Sequence, residues 1–213
     1  MTAALPRIWP SPDSKPLPPA ESAEVFRAFA RDLAAGRRSW DIETARFIAA
    51  QFDQLAAEWD TSRATGRDDP LHDALGRGGP FPDGPCLELG SGTGLFTPLL
   101  RRVFPRVISV DLSKRMLYQA AGRSPLRARA DASSLPLADG QVAAVAAVDM
   151  LLFPTETARV LAPDGVVLWI NQLGEDGPLY LPAAEVAAAL PGDWLAVEAD
   201  AGWGSWAALR RSH

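Results

Sequence analysis

The hydrophobic residues of this chain recur with a helical period in the first third of the sequence. A helix is predicted from Ala20 to Gly36, and its apolar face contains Val25, Phe26, Phe29 and Leu33. A second helix is predicted from Ser39 to Ser62, because apolar residues recur there at spacings of four, three and four, namely Ile48, Phe52, Leu55 and Trp59. Neither helix can bury its apolar face alone, so both are expected to pack on the rest of the chain.

Short apolar strands alternate with helices beyond Pro85. Strands are predicted at 86–89, 107–110, 126–130, 142–151, 166–170, 194–199 and 205–210. Helices are predicted at 93–103, 113–121, 156–161 and 182–190. This alternation indicates an α/β fold with a doubly wound, Rossmann-like sheet of seven strands, most of them parallel. The last two strands are predicted to be antiparallel, since only the short turn 201–204 joins them.

Composition divides the sequence into three segments. Residues 1–19 contain six prolines and are expected to form an extended arm. Residues 20–84 are expected to form an N-terminal helical cap and a linker, which begins at residue 63 and is rich in Gly, Pro, Asp and Arg. Residues 85–213 are expected to form the α/β domain.

The overall charge and the cysteine content narrow the class of protein. The chain has 213 residues and a net charge of −5, which argues against a protein that mainly binds nucleic-acid phosphates. No apolar run approaches the roughly 18 residues of a membrane span. Cys86 is the single cysteine, so no internal disulfide forms, and this fits a reducing compartment. We therefore expect a cytoplasmic, soluble monomer or homodimer with no nucleic-acid or membrane partner.

A glycine-rich turn follows the first predicted strand of the α/β domain. The segment from Leu87 to Gly94 reads Leu-Glu-Leu-Gly-Ser-Gly-Thr-Gly and runs from a strand into a helix. Glycines there let the backbone turn sharply and approach a ligand closely. Glu88, two residues before the first glycine, adds an acid to the turn.

Three further acids follow successive predicted strands. Asp111 ends the second strand, where a doubly wound sheet places a carboxylate for the two hydroxyls of a ribose, although a helix cap is the simpler alternative. Asp131 ends the third strand and Asp149 lies near the end of the fourth. We expect these three carboxylates and Glu88 to face one crevice.

Five segments in this order resemble the class I S-adenosylmethionine-dependent methyltransferases, particularly the group similar to the ubiquinone and menaquinone biosynthesis methyltransferases. The resemblance covers about residues 47–170, and its matching segments are 52–60, 88–94, 107–111, 129–137 and 159–165. Departures lie on the substrate side: Val142-Ala143 replaces a Phe-Asp pair, and Leu152-Phe153 replaces paired histidines.

The resemblance implies S-adenosyl-L-methionine as the cofactor and assigns its contacts. Asp111 would bind the ribose hydroxyls, while Asp131 and the Ala132 N–H would read the adenine edge. The turn would pass under the methionine part, and Trp59 would either bound that part or serve only as core. The full set of expected cofactor contacts is Trp59, Glu88, Gly90, Ser91, Gly92, Gly94, Asp111, Leu112, Met116, Asp131, Ala132 and Val148.

The expected reaction is in-line methyl transfer, driven by proximity, to an N or O nucleophile of a small molecule. Asp149 and Tyr180 are the candidate catalytic residues, because both are predicted near the mouth of the sheet. Cys and His do not occur at zinc-ligand spacing, so no metal is expected. Two alternatives stay open: a cofactor-binding regulatory or partner protein without methyl transfer, and a nucleotide-dependent oxidoreductase. The glycine spacing and the acids disfavour the oxidoreductase.

Overall fold

The computed structural model of the chain describes residues 20–61 and 67–212. Its centre is one seven-stranded sheet with the order β3–β2–β1–β4–β5–β7–β6. The strands are β1 Pro85–Leu89, β2 Arg106–Asp111, β3 Arg127–Arg129, β4 Val142–Val148, β5 Leu161–Asn171, β6 Trp194–Ala201 and β7 Gly204–Arg211. The first five strands are parallel, and β7 is antiparallel to both β5 and β6. The predicted fold class and the antiparallel terminal pair are thus confirmed.

Seven helices accompany the sheet in the described part of the chain. They are α1 Ala20–Ala34, α2 Ile42–Leu55, α3 Asp69–Arg77, α4 Thr97–Leu100, α5 Lys114–Gln119, α6 Pro154–Val160 and α7 Ala183–Ala189. The N-terminal arm predicted at 1–19 and the terminal residue His213 lie outside the described residues. Among the described helices, none combines the length and the apolar character that a membrane crossing requires.

Each face of the sheet has its own hydrophobic core. On one face, Val167 and Trp169 of β5 pack in a cluster with residues of α1, α6 and α7. On the other face, Val166, Leu168 and Ile170 pack with residues of α3 and α4. Because β5 contributes alternate side chains to both cores, it reads as a continuous apolar run, as expected of a strand covered on both faces.

The structure corrects the linker prediction, because residues 63–84 contain helix α3. Leu71 and Ala74 of α3 are fully buried in the core beneath β5 and β7. Pro70 occupies the first turn of this helix, where its missing N–H costs no hydrogen bond. This short helix was not predicted because Gly and Pro flank it, although its apolar residues have helical spacing.

The structure also shortens two predicted helices. The helix predicted at 93–103 is confined to α4, since Gly94 has a φ of +74° and the residues after Leu100 form turns with mixed i→i+3 and i→i+4 hydrogen bonds. The helix predicted to reach Ser62 ends at Leu55. The predicted apolar faces are wrong in part: Val25 is 70% exposed and Leu55 is 52% exposed. Small residues such as Ala45 and Ala49 are buried on α2 instead.

A carboxyl group is buried between β1, β2 and α4. Glu88 is only 2% exposed, and its Oε2 accepts hydrogen bonds from the Thr97 hydroxyl at 2.6 Å and the Ser109 hydroxyl at 2.7 Å. Its Oε1 is buried without a hydrogen-bond partner among the described residues. Burial raises the pKa of Glu88 to about 7, although the two hydroxyls oppose the shift. This group therefore ties α4 to the sheet directly below the glycine turn.

The raised pKa makes stability depend on pH in a definite direction. The folded protein binds the Glu88 proton more tightly than the unfolded chain, in which the glutamate pKa has its ordinary value of 4.5. The contribution of this group to stability is therefore complete below pH 4.5 and is lost as pH rises through 7. Glu88→Gln cannot ionise. We therefore predict that the unfolding free energy of the wild type falls by about 2 kcal/mol relative to that of Glu88→Gln as the pH rises from 5 to 8.

Urea denaturation at both pH values measures this difference. Glu58→Gln, at an exposed position of the segment after α2, is the control and should show no such trend. A difference between Glu88→Gln and the wild type that does not change with pH would contradict the prediction.

Candidate functional site

The turn after β1 brings two strand ends together. Gly90 has a φ of +63°, and a Cβ on it would lie 2.5 Å from the Met150 sulfur in the loop after β4. The left-handed backbone favours glycine at this position. The Ser91 N–H also donates to the Val110 carbonyl of β2 at 3.0 Å. The turn is thereby bonded to the end of β2 and lies next to the loop after β4.

The second glycine of the turn lies beneath the Trp59 indole. Gly92 has a φ of +55°, and the nearest atom to a Cβ placed there is Nε1 of Trp59, at 3.7 Å. The Trp59 ring is held edge-on against Phe52 with a centroid separation of 5.6 Å. An indole thus lies over a backbone surface that has no side chain of its own.

The Asp111 carboxylate at the end of β2 is held by two backbone groups. Its Oδ2 accepts the Gly92 N–H at 2.8 Å, and its Oδ1 accepts the Ser113 N–H at 2.7 Å. Burial raises the pKa of the Asp111 carboxyl, and these two hydrogen bonds oppose the shift. Each oxygen accepts one of these two N–H groups, and a carboxylate oxygen can accept a further hydrogen bond. The Ser113 hydroxyl caps α5 by accepting the Met116 N–H, which leaves Asp111 without that task.

Asp131, after β3, is bonded to a residue of the helical cap. The Trp40 indole N–H donates to its Oδ1 at 3.2 Å and its Oδ2 at 3.0 Å. The Ser133 N–H also donates to Oδ1, at 2.8 Å. Trp40 lies between α1 and α2, so this contact connects the cap with the end of the third strand.

Two carboxylates of the cap contact the same edge of the sheet. Asp53 of α2 accepts the Ser113 hydroxyl at 2.5 Å and the Arg115 N–H at 3.0 Å. Asp60, after α2, accepts the Thr93 hydroxyl of the glycine turn at 2.5 Å and a guanidinium N–H of Arg123 at 2.6 Å. Together with Trp40, these residues attach the cap at three separate loops.

Asp149 lies in a strained turn after β4. It is the one described non-glycine residue with a positive φ, +45°, and its Oδ1 accepts the Gln172 N–H at 2.9 Å. The Gln172 side chain donates to the Arg67 carbonyl at 3.0 Å, and the Asp149 charge partly offsets the lowering of the Arg67 pKa by burial. Asp149 therefore belongs to a polar group at the ends of β4 and β5.

Tyr180 lines a separate cleft of about 340 Å³ beside β5, β6 and β7. Its acidic lining residues are Glu175, Glu198 and Asp200. Burial raises the pKa of Tyr180, and these three acids raise it further. Asn171 and Trp169 fix the segment before α7, because both donate to the Leu181 carbonyl, at 3.2 and 3.0 Å. Asp149 is not among the described residues that line this cleft.

The predicted residues are therefore brought together only in part. The glycine turn, Asp111, Asp131 and Asp149 all lie at the carboxyl ends of parallel strands. The expectation that Glu88 faces this crevice is wrong, since its side chain is buried against Thr97 and Ser109. Among the other predicted cofactor contacts, the buried residues are Ser91, Met116 and Ala132. The half-buried ones are Leu112 and Val148.

Sequence reasoning missed the cap residues that hold this edge in place. Asp53 and Asp60 lie in the segment 52–60, which carried a family resemblance but only one assigned role, that of Trp59. Nothing in the sequence around Trp40 indicates a role in the site; it only precedes Asp41, the N-cap of α2.

Comparison with known proteins agrees with this architecture. Residues 87–169 match a family model described as a methyltransferase domain. A curated relative from Micromonospora griseorubida, named "Putative 23S rRNA (guanine-N(1)-)-methyltransferase", is 30% identical over 173 residues, which cover 74% of this chain. The chain spans 58% of that relative's length.

Two solved structures share the fold at low sequence identity. The complex of DhpI with S-adenosylhomocysteine is 24% identical with a TM-score of 0.61, covering 79% of this chain and 97% of DhpI. The [4+2]-cyclase SpnF is 21% identical with a TM-score of 0.54, covering 70% of this chain and 74% of SpnF. The match over residues 87–169, the sheet order and the glycine turn thus agree with a methyltransferase domain, and the two solved structures show the same fold.

Proposed function

We propose that the protein transfers a methyl group from S-adenosylmethionine to an N or O nucleophile of a small molecule. The observation that carries this proposal is the Asp111 carboxylate, which two backbone N–H groups hold beside the glycine turn. A fixed carboxylate that can still accept hydrogen bonds suits a vicinal diol. The narrower resemblance to the ubiquinone and menaquinone group remains a prediction.

The residues around Asp111 fit the other parts of the cofactor. Asp131 and the Ala132 N–H would bind the adenine edge, while Leu112, Met116 and Val148 would supply apolar walls. Gly90, Ser91, Gly92 and Gly94 would lie beneath the methionine part, with Trp59 above it. An indole and nearby carboxylates favour a sulfonium cation. Glu88 would act from below, by fixing α4 and the turn.

The bound cofactor supplies an already activated methyl group, so the chain has mainly to orient the acceptor. Such positioning contributes up to about 7–11 kcal/mol to the lowering of a barrier in favourable cases. We assign the acceptor to the cleft lined by Tyr180. Asp149 does not line this cleft and remains a prediction from the sequence, so an amine bound there would lose its proton to one of the cleft carboxylates before it attacks the methyl carbon. The raised pKa of Tyr180 keeps its phenol protonated at neutral pH, which suits a group that orients the acceptor. The acids of the cleft favour a cationic amine over an anionic acceptor.

The alternative is a cofactor-binding protein that transfers no methyl group. SpnF, named as a [4+2]-cyclase, shares the fold, and a shared fold does not fix the reaction. Turnover of any acceptor in a panel of amines and phenols would exclude this alternative.

A second candidate function is methylation of RNA, because the relative from Micromonospora griseorubida is named as an rRNA methyltransferase. The segment 101–129 carries one acid, Asp111, and eight basic residues, Arg101, Arg102, Arg106, Lys114, Arg115, Arg123, Arg127 and Arg129. Tyr118 is 78% exposed within it, beside a groove of about 430 Å³ that Lys114 and Arg115 also line. Cations around an exposed ring suit single-stranded RNA, whose bases stack on aromatic side chains.

We predict that Asp111→Asn weakens binding of S-adenosylhomocysteine by about 10–100-fold. The amide loses the charge and places an NH₂ group against either the Gly92 or the Ser113 N–H. Isothermal titration calorimetry measures the effect, and exposed Asp164→Asn is the control that should bind like the wild type. Unchanged affinity in Asp111→Asn would contradict the assigned ribose contact.

We predict that Glu198→Gln and Asp200→Asn each lower kcat/KM for cationic amine acceptors by about fivefold or more, because each removes a negative charge from the cleft. Neutral acceptors should be affected little. Asp176→Asn is the matched control, since this acid is exposed near the cleft but does not line it. Equal losses for cationic and neutral acceptors would argue against this binding mode.

The RNA candidate makes a separate prediction. A fluorescently labelled single-stranded RNA should bind with strong salt dependence in an anisotropy titration. Lys114→Ala and Arg115→Ala should each reduce the slope of log K against log salt by about 0.7, and Tyr118→Ala should weaken binding at an unchanged slope. Arg37→Ala, outside the basic segment, serves as the control. Absence of RNA binding by the wild type would remove this candidate.

A further inference from the structure

Trp40 is fixed between two elements that flank the candidate adenine pocket. Its ring packs edge-on against Phe153, at the start of α6, with a centroid separation of 5.2 Å and an interplanar angle of 73°. Its indole N–H points the other way and donates to both oxygens of Asp131. Phe153 belongs to the buried core, so the indole is held on one side by packing and on the other by hydrogen bonds.

The donors around Asp131 are distributed unequally between its two oxygens. The Trp40 N–H donates to both oxygens. Oδ1 also accepts the Ser133 N–H at 2.8 Å, whereas Oδ2 has no second donor among the described residues. A carboxylate oxygen accepts about two hydrogen bonds, so Oδ2 has the greater remaining capacity. Rotation of the carboxylate would break both the Ser133 and the Trp40 contacts.

We propose that Trp40 is a positioning residue, which fixes the Asp131 carboxylate so that Oδ2 accepts an N–H from the 6-amino group of the purine. The inference rests on the proposed function, because it takes Asp131 as the adenine contact. A carboxylate only accepts hydrogen bonds, so a 6-amino purine is favoured and a 6-oxo purine leaves the carboxylate unpaired and repelled. Trp40 thereby contributes to cofactor selectivity without touching the cofactor through its own N–H.

The same geometry predicts what an amide does in place of the carboxylate. In Asp131→Asn, the Ser133 and Trp40 N–H groups both require an acceptor, so the amide oxygen should occupy the Oδ1 position. The amide NH₂ then takes the Oδ2 position and donates a hydrogen bond to a 6-oxo group. The preference for the 6-amino ligand should therefore become smaller, because the 6-oxo group gains a donor, while the N1–H of the 6-oxo purine still faces the Ala132 N–H. This change depends on the donors that orient the side chain.

The test compares S-adenosylhomocysteine with its 6-oxo counterpart, S-inosylhomocysteine, by isothermal titration calorimetry. Trp40→Phe keeps a ring against Phe153 but removes the N–H, and it should weaken binding of the 6-amino ligand about tenfold with little change for the 6-oxo ligand. Trp194→Phe is the matched control, because it also removes an indole hydrogen bond, to the Pro191 carbonyl at 2.9 Å, but away from the site. It should leave both affinities unchanged.

The outcomes separate this inference from the function on which it rests. If the wild type binds neither ligand, the proposed function and this inference are both overturned. If the wild type prefers the 6-amino ligand and Trp40→Phe keeps the same ratio of affinities, or binds the 6-amino ligand more tightly, only the role of Trp40 is overturned. Asp131→Asn keeps the measurement decisive should Trp40→Phe unfold: a smaller preference for the 6-amino ligand supports the orientation, and an unchanged ratio of the two affinities overturns it.

Discussion

The backbone turn after β1 is the constraint on which the candidate site depends. At Gly90 the chain is left-handed and passes close to the Met150 side chain in the loop after β4. At Gly92 the N–H is committed to Asp111, which couples the turn to the end of β2. A substitution at Gly90 would therefore strain the backbone at the turn, whatever its effect on direct ligand contacts.

The helical cap completes this arrangement by polar contacts, in addition to the apolar packing of α1 on the sheet. Trp40, Asp53 and Asp60 bond to residues after β3, after β2 and within the glycine turn respectively. Each bond satisfies a group that the sheet alone leaves available at the edge where ligands bind in α/β folds. Because several of these cap residues are half-exposed, each contact contributes modestly to stability, and their shared consequence is the placement of loops and carboxylates.

The sequence predicted the features that depend on local pattern. Strands such as β4 are apolar runs, and the glycine turn has a distinctive spacing, so the mostly parallel sheet and its antiparallel terminal pair could be predicted. Helix α3 was missed because its nine residues are flanked by Gly and Pro, and its burial against β7 is a tertiary fact. The direction of the Glu88 side chain was also mistaken, because proximity to a strand end in sequence does not fix which face of the sheet a side chain joins. The Trp40–Asp131 bond spans 91 residues, and no local pattern encodes it.

Charge is separated across the sheet in a way that the net value of −5 conceals. The basic segment 101–129 belongs to β2, α5 and β3, at one end of the strand order, whereas Glu198 and Asp200 lie on β6 at the other end. The glycine turn lies between them, after β1. An anionic partner and a cationic acceptor would therefore approach opposite ends of the same sheet, and the field that each meets is set by its local residues. A negative net charge argues against a nucleic-acid partner only if the charges are evenly spread over the protein. In this chain they are not evenly spread.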